Sequence, residues 1–326
     1  MLTNKKISVV VACYRDEGSI PELLRRLEET MARITPSFEV IYVNDASPDR
    51  SGEVLLEMAK ERPWLTVVSH SRNFGAQVAF TSGMYQAEGD AVVIMDGDLQ
   101  DPPELIERFV SLWLEGNDVV YGIRAKRNEG MVRNLGYKAF YRILQKISYL
   151  HIPLDAGEFS LMDRVVVDSV LACPERDRLI RGLRAYAGFR QTGVEFNRPR
   201  RYWGESTQSL LDYIVWAYKS FTSFSLFPLR LISIVSFVMF FLLAFLFVFY
   251  LVAFMLGYPA PSGFMTLLGV LLMLGAIILF ALGIIGEYLA RLFIEVKNRP
   301  QPIINRLVND QRARPRDWLG RAAPRD

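Results

Sequence analysis

Residues 91–104 read AVVIMDGDLQDPPE. The apolar run Ala91–Met95 does not alternate, so both faces of this segment are buried, as in a strand of a parallel sheet covered by helices. It stops at Asp96-Gly97-Asp98, two carboxylates on one short turn with Asp101 close by. The same design recurs upstream: Ile7–Cys13 (ISVVVAC) runs into Tyr14-Arg15-Asp16-Glu17, Glu39–Val43 into Asn44-Asp45-Ala46-Ser47, and Leu65–Ser69 is followed by Ser71-Arg72-Asn73. Between these strands, Ile20–Arg33, with Leu23, Leu24 and Leu27 on one face, and Ser51–Lys60, Gln77–Ala87 and Pro103–Glu115 carry helical patterns; Asp118–Tyr121 adds a strand. The sequence therefore predicts an α/β domain with a mostly parallel sheet. In such sheets ligands bind at the carboxyl ends of the strands, where these polar residues fall.

Composition bounds the rest of the chain. Its 326 residues exceed one typical domain, and 38 Lys+Arg against 35 Asp+Glu leave +3, too balanced for a nucleic-acid coat. No charged residue or histidine occurs between Leu231 and Gly286. Gly257–Gly263 divides that run into Leu231–Leu256 and Phe264–Gly286, each longer than the ~20 residues a bilayer core requires. Lys219 and Arg230 precede the pair and Arg291, Lys297, Arg299 and Arg306 follow it, while the turn is uncharged, so both outer ends are expected on the cytoplasmic side. Just upstream, Tyr213, Trp216, Tyr218, Phe221, Phe224 and Phe227 predict an interfacial amphipathic helix. The expected organisation is a cytoplasmic α/β domain over 1–207, an interfacial helix over 208–228, two transmembrane helices within 229–292 (231–256 and 264–288), and a basic cytoplasmic tail over 293–326 suited to an anionic membrane surface. Ile7–Cys13 is read as a first strand rather than a signal peptide, because no small-residue cleavage site follows it.

Two cysteines, Cys13 and Cys173, and two histidines, His70 and His151, exclude a disulfide framework and a multi-histidine metal centre. Any metal must rest on carboxylates, and Asp96 and Asp98 are hard oxygen ligands spaced to hold a divalent ion that also binds a diphosphate. Asp45 is placed to accept hydrogen bonds from a base or ribose, or to cap a turn.

The series Tyr14-x-Asp16-Glu17, Val43-Asn44-Asp45-Ala46-Ser47-x-Asp49, Ser71-Arg72-Asn73-Phe74-Gly75 and Met95-Asp96-Gly97-Asp98-Leu99-Gln100-Asp101-Pro102-Pro103-Glu104 resembles the GT-A domain of family 2 glycosyltransferases. More narrowly it resembles the polyprenyl-phosphate glycosyltransferases, and Phe159–Arg164, Gly204-Glu205-Ser206 and Gly283–Leu289 continue the likeness in order. The resemblance implies inverting sugar transfer from a nucleotide-sugar, a UDP-sugar by first choice, to a polyprenyl phosphate such as undecaprenyl phosphate, by an integral protein of the cytoplasmic membrane. Tyr14, Asp16, Glu17 and Asp45 would line the nucleotide pocket; Asp96 and Asp98 would meet Mg²⁺ or Mn²⁺; Arg124, Arg127, Arg133, Arg201 and Ser206 would face the acceptor or phosphate. Glu158 stands where relatives commonly carry Asp and would act on the transfer itself. A homo-oligomer, a tetramer, is also implied, and no nucleic-acid partner. This chain departs from the family at Ala12, Arg15, Ala76, Ser160 and Thr207, positions that bear on the donor sugar.

Two other classes fit parts of the chain. A processive polysaccharide synthase shares the core but usually adds membrane helices and a Q-x-x-R-W motif, which this sequence lacks. A non-catalytic membrane scaffold would show neither nucleotide hydrolysis nor transfer.

Overall fold

The computed structural model describes residues 1–124, 156–199, 202–203, 227–257 and 263–310. The chain divides into a sheet unit, which it re-enters at Arg299, and a helical unit. The sheet has eight strands: β1 (Ile7–Cys13), β2 (Phe38–Asn44), β3 (Leu65–His70), β4 (Ala91–Asp96), β5 (Val119–Arg124), β6 (Ala156–Asp163), β7 (Gln191–Phe196) and β8 (Ile304–Val308), in the order β7-β5-β6-β4-β1-β2-β3-β8. β1, β2, β3 and β4 are mutually parallel, as are β5 and β7, while β6 and β8 run antiparallel to their neighbours. From β1 the chain adds β2 and β3 on one side and β4 on the other. The strand order thus reverses between β1 and β4, which places Tyr14–Glu17 and Asp96–Asp98 at a topological switch point.

Alternate residues of the strands feed two cores. Val9, Val11, Tyr42 and Val93 pack with α1 (Ile20–Ile34), α2 (Ser51–Glu61) and α4 (Leu105–Leu114). Val10, Ile41, Val68 and Ile94 pack with α3 (Ala76–Gln86), α5 (Arg164–Ala172) and α6 (Ile180–Ala187) on the other face. In α1, Pro21 sits in the first turn, and Leu23, Leu24, Leu27 and Met31 are fully buried. Burying each such side chain contributes about 1.5–3 kcal/mol.

Two features differ from expectation. The stretch from residue 156, where the sequence pattern predicts no regular element, holds β6, α5, α6 and β7; their apolar residues mix with Glu158, Asp163 and several arginines. The segment expected as a basic tail supplies β8, which pairs Leu307 with Val68 and Val308 with Val67 and so covers the edge of β3. Asn309 locks it in place: its Nδ2 donates to the carbonyls of Ala59 (2.7 Å) and Leu65 (3.2 Å), and its own carbonyl accepts from Thr66 Oγ1 at 2.8 Å.

The helical unit contains α7 (Phe227–Met255) and α8 (Phe264–Lys297). Among the described residues one segment, Leu267–Lys297, is long and apolar enough to cross a membrane; within α7 the apolar stretch is Leu231–Leu246. Phe240 is 66% exposed and Leu279 70%. α8 runs past the predicted boundary because its charged last turns stay helical, with Arg291 Nε bonded to Glu287 Oε1 at 3.3 Å, and it ends at Asn298 in the left-handed region.

Candidate active site

At the carboxyl edge, each of the four parallel strands is followed by a residue with positive φ: Arg15 (62°) after β1, Ala46 (52°) after β2, Gly75 (93°) after β3 and Leu99 (61°) after β4. Three of these are not glycine, and left-handed backbone at such residues persists only where the surroundings hold it. Here neighbouring loops hold one another. Arg15 N–H donates to Ser47 Oγ at 2.6 Å, Asp45 N–H to the Cys13 carbonyl at 3.1 Å and Gly97 N–H to the Ala12 carbonyl at 3.0 Å. Ser19 Oγ donates to the Gly97 carbonyl at 2.7 Å. Gly97 itself is required by close approach, since a Cβ there would sit 3.0 Å from the Ala12 carbonyl and 3.1 Å from the Tyr42 hydroxyl.

This edge brings together the residues that the sequence singled out in its first hundred positions. Tyr14 is partly exposed, with the Arg15 guanidinium 5.4 Å from its ring centre. Asp16 is buried and accepts the Tyr14 N–H at 3.0 Å. The Glu17 carboxylate accepts Arg50 N–H at 2.8 Å, so it also holds the start of α2. Asp45 is buried; its Oδ1 accepts Phe74 N–H at 2.9 Å and lies 2.7 Å from His70 Nδ1, and its Oδ2 accepts Gly75 N–H at 2.7 Å.

Asp96, Asp98 and Asp101 form the acidic centre. Asp98 is buried, with Oδ1 accepting Gln100 N–H at 3.0 Å. Asp101 Oδ2 accepts Asp96 N–H at 3.2 Å, while its Oδ1 is buried with no hydrogen-bond partner. Arg198 Nη2 lies 4.0 Å from Asp96 Oδ2. Burial, and then the repulsion of Asp101 and Asp98, raises the Asp96 carboxyl above the ordinary carboxylate range; burial raises Asp101 likewise, and Arg198 and Arg124 oppose both shifts. Such a crowd of carboxylates, one with an orphaned oxygen, fits a hard divalent cation. Among the described residues no group of three or more His, Cys, Asp or Glu side chains is placed to hold a metal ion, so a cation here would rest on two carboxylates at most.

Across β4 lies a second group. Glu158 on β6 has its Oε2 buried without a hydrogen-bond partner. Arg124, at the end of β5, runs beside Gly157, its Nη2 3.5 Å from where a Cβ would stand. Arg184 on α6 is 1% exposed, its guanidinium 5.0 Å from the Tyr121 ring centre and without a hydrogen-bond partner. Burial pushes that guanidinium down to about 10, with Glu158 pulling the other way. Arg127, Arg133, Arg201 and Ser206 lie outside the described residues. Sequence reading missed Arg184, Arg198 and His70. The run of arginines from Arg178 to Arg201 is visible, but which of them turns inward depends on the packing of α6; His70 shares the strand parity of the buried Val68, a signal that was available.

The model of the family described as "Glycosyl transferase family 2" matches residues 8–171, from β1 to the end of α5, and so includes both the Asp-Gly-Asp turn and Glu158. The chain belongs to glycosyl transferase family 2. This glycosyltransferase is 39% identical over 303 residues to the uncharacterized glycosyltransferase YkcC of Bacillus subtilis, covering 92% of this chain and 93% of that one. It is 33% identical to the SfII prophage-derived bactoprenol glucosyl transferase of Shigella flexneri, covering 92% and 98%. It is 34% identical to the undecaprenyl-phosphate 4-deoxy-4-formamido-L-arabinose transferase of Pseudomonas aeruginosa, covering 93% and 90%. These matches reach well beyond the family domain.

Proposed function

We propose that this glycosyltransferase moves one sugar from a nucleoside-diphosphate sugar, a UDP-sugar, to a polyprenyl phosphate, undecaprenyl phosphate, at the cytoplasmic face of the inner membrane, with inversion at the anomeric carbon. The observation that carries the reading is the Asp96-Gly97-Asp98 turn at the switch point, in a chain that aligns nearly end to end with relatives named for bactoprenol and undecaprenyl phosphate.

Tyr14, Asp16 and Glu17, after β1, and Asp45, after β2, line the nucleotide pocket, with the Glu17 carboxylate bonded to Arg50 N–H at the start of α2. Asp96 and Asp98 would hold a divalent cation, Mg²⁺ or Mn²⁺, which would supply positive charge to the departing nucleoside diphosphate. Arg124, Arg127, Arg133, Arg201 and Ser206 attract the acceptor phosphate. A phosphate monoester with a second pKa of ~6 is largely dianionic at neutral pH and already nucleophilic. Glu158 therefore orients the sugar or takes a last proton rather than generating the nucleophile. The phosphate oxygen bonds to the anomeric carbon as the bond from that carbon to the diphosphate breaks, in one in-line displacement.

The apolar faces of α7 and α8, largely exposed, are covered by lipid in this reading. β7 precedes the two helices in the chain, β8 follows them, and both belong to one sheet. A hairpin that crosses the bilayer twice then has both outer ends on the face where that sheet lies. The test is transfer by purified full-length protein from a panel of UDP- and GDP-sugars to short polyprenyl phosphates, followed by mass spectrometry. One donor is expected to yield a lipid carrying a single sugar. Absence of lipid-linked product with every donor, or a ladder of added sugars, overturns the reading.

A further inference from the structure

His70, the last residue of β3, is 2% exposed, and both of its ring nitrogens are engaged. Nδ1 lies 2.7 Å from Asp45 Oδ1 and Nε2 lies 2.7 Å from Ser82 Oγ on α3. A carboxylate only accepts, so Nδ1 is the donor in the first of these contacts. Asp45 in turn accepts the N–H groups of Phe74 and Gly75. The Phe74 ring stands edge-on to the imidazole at 5.5 Å. Ser82, His70, Asp45 and the backbone of residues 74–75 therefore form one continuous chain from the body of α3 to the carboxyl edge of β2. The far side of the same strand end is fixed by β8, where His70 pairs with Ile304 and Ser71 N–H donates to the Ile303 carbonyl at 2.9 Å.

We infer that His70 is a positioning residue for the nucleotide: through its Nδ1–H it holds Asp45, and through Asp45 the Phe74–Gly75 backbone, in the arrangement that receives the nucleoside diphosphate. The inference rests on the proposal that Asp45 lines the nucleotide pocket. It assigns His70 an effect on donor affinity rather than on the chemical step. Without the imidazole N–H, the buried Asp45 carboxylate loses a charge-assisted partner and is held only by the Phe74 and Gly75 N–H groups, so its position is less firmly fixed.

The variants separate this role from simple packing, because asparagine places its amide N–H near the Nδ1 position and glutamine near Nε2. The measurement is calorimetric binding of UDP and of GDP, with Mg²⁺, to the full chain in detergent, with thermal melts of each variant and donor KM and kcat for the accepted sugar. H70N is expected to bind within ~3-fold of the parent, H70Q and H70L at least ~10-fold more weakly, with donor KM rising in step and kcat changing less than ~3-fold. S82A, which keeps the Asp45 contact, is expected to follow H70N. H70L binding as tightly as the parent, or H70N losing as much as H70L, overturns the assignment to His70 alone. Failure of the parent protein to bind either nucleotide overturns the functional reading on which it stands.

Discussion

Along the β1–β4 edge of the site, Asp16, Glu17, Asp45 and Asp98 each accept at least one backbone N–H. Along β5–β7, by contrast, Glu158 Oε2 and the whole Arg184 guanidinium are buried with no hydrogen-bond partner. A buried polar group left unpaired costs about 1–3 kcal/mol, and more when charged. The first edge therefore satisfies most of its carboxylates from its own backbone, Asp101 Oδ1 being the exception, whereas the second leaves Glu158 Oε2 and the Arg184 guanidinium unpaired. In the proposed function the difference follows the two substrates. The nucleotide meets a rigid edge made of strand ends in strained but mutually pinned conformations, whereas the reacting sugar and phosphate enter a region whose polar groups they help to satisfy.

The largest effect is expected on the line between the two edges. Asp98→Asn should lower transfer by ~10³-fold or more while the protein stays folded, because a neutral amide is a poor hard-metal ligand. EDTA should do the same to the parent protein; the rate of lipid-linked product formation reads both. Turnover near normal in D98N would remove the metal from the β1–β4 edge and break the comparison.

Glu158 sharpens it from the other side. Glu158→Gln should cost ~10²-fold in kcat, while Glu158→Asp keeps activity within ~10-fold. If Glu158 takes a proton, the acidic limb of the pH–rate profile should vanish in Glu158→Gln; if it only orients, the limb should remain. Glu158→Ala turning over like the parent at saturating substrates would exclude both roles.

A smaller effect concerns stability. Asp96 and Asp101 hold their protons more tightly in the folded protein than carboxyls do in an unfolded chain, whose value is ~4. The folded state therefore binds more protons, and the stability of metal-free protein should be full below that value and fall as pH rises into the neutral range. Mg²⁺ should flatten the dependence by stabilising the ionised carboxylates, and Asp101→Asn should flatten it without metal. Thermal melts between pH 5 and pH 8, within ~4 units of the unfolded carboxyl value, check both; stability rising with pH in the metal-free protein would contradict the shifts.

The smallest effect lies outside both edges. Asn309→Ala removes two donated hydrogen bonds that fix β8 and should cost about 1–2 kcal/mol of stability, with turnover unchanged, as read by denaturant unfolding.

The same contrast governs what the amino-acid sequence reveals. The apolar runs Ile7–Cys13 and Ala91–Met95, each closed by acidic residues, announce parallel strands and their functional ends, because a strand buried on both faces leaves an unbroken signal. On the other edge β6 runs antiparallel between β4 and β5 with Glu158 and Ser160 among its apolar residues, and which of several arginines faces inward is decided by how α6 packs, a tertiary fact. β8 was obscured for a related reason: Ile304–Val308 is a half-polar pattern in a basic segment, and only the open edge of β3 makes it a strand. His70 escapes a reading by motif because its partners, Asp45 and Ser82, lie 25 and 12 residues away.

The division between the edges is tested most directly by the dissociation constant of UDP, with Mg²⁺, for Glu158→Gln measured beside the parent protein. The account predicts affinity within ~3-fold of the parent for this variant, even though its turnover has fallen by ~10²-fold, since the nucleotide is held by residues that Glu158 does not touch. UDP binding that weakens in parallel with the lost turnover would contradict it, and would make the two edges a single interdependent site.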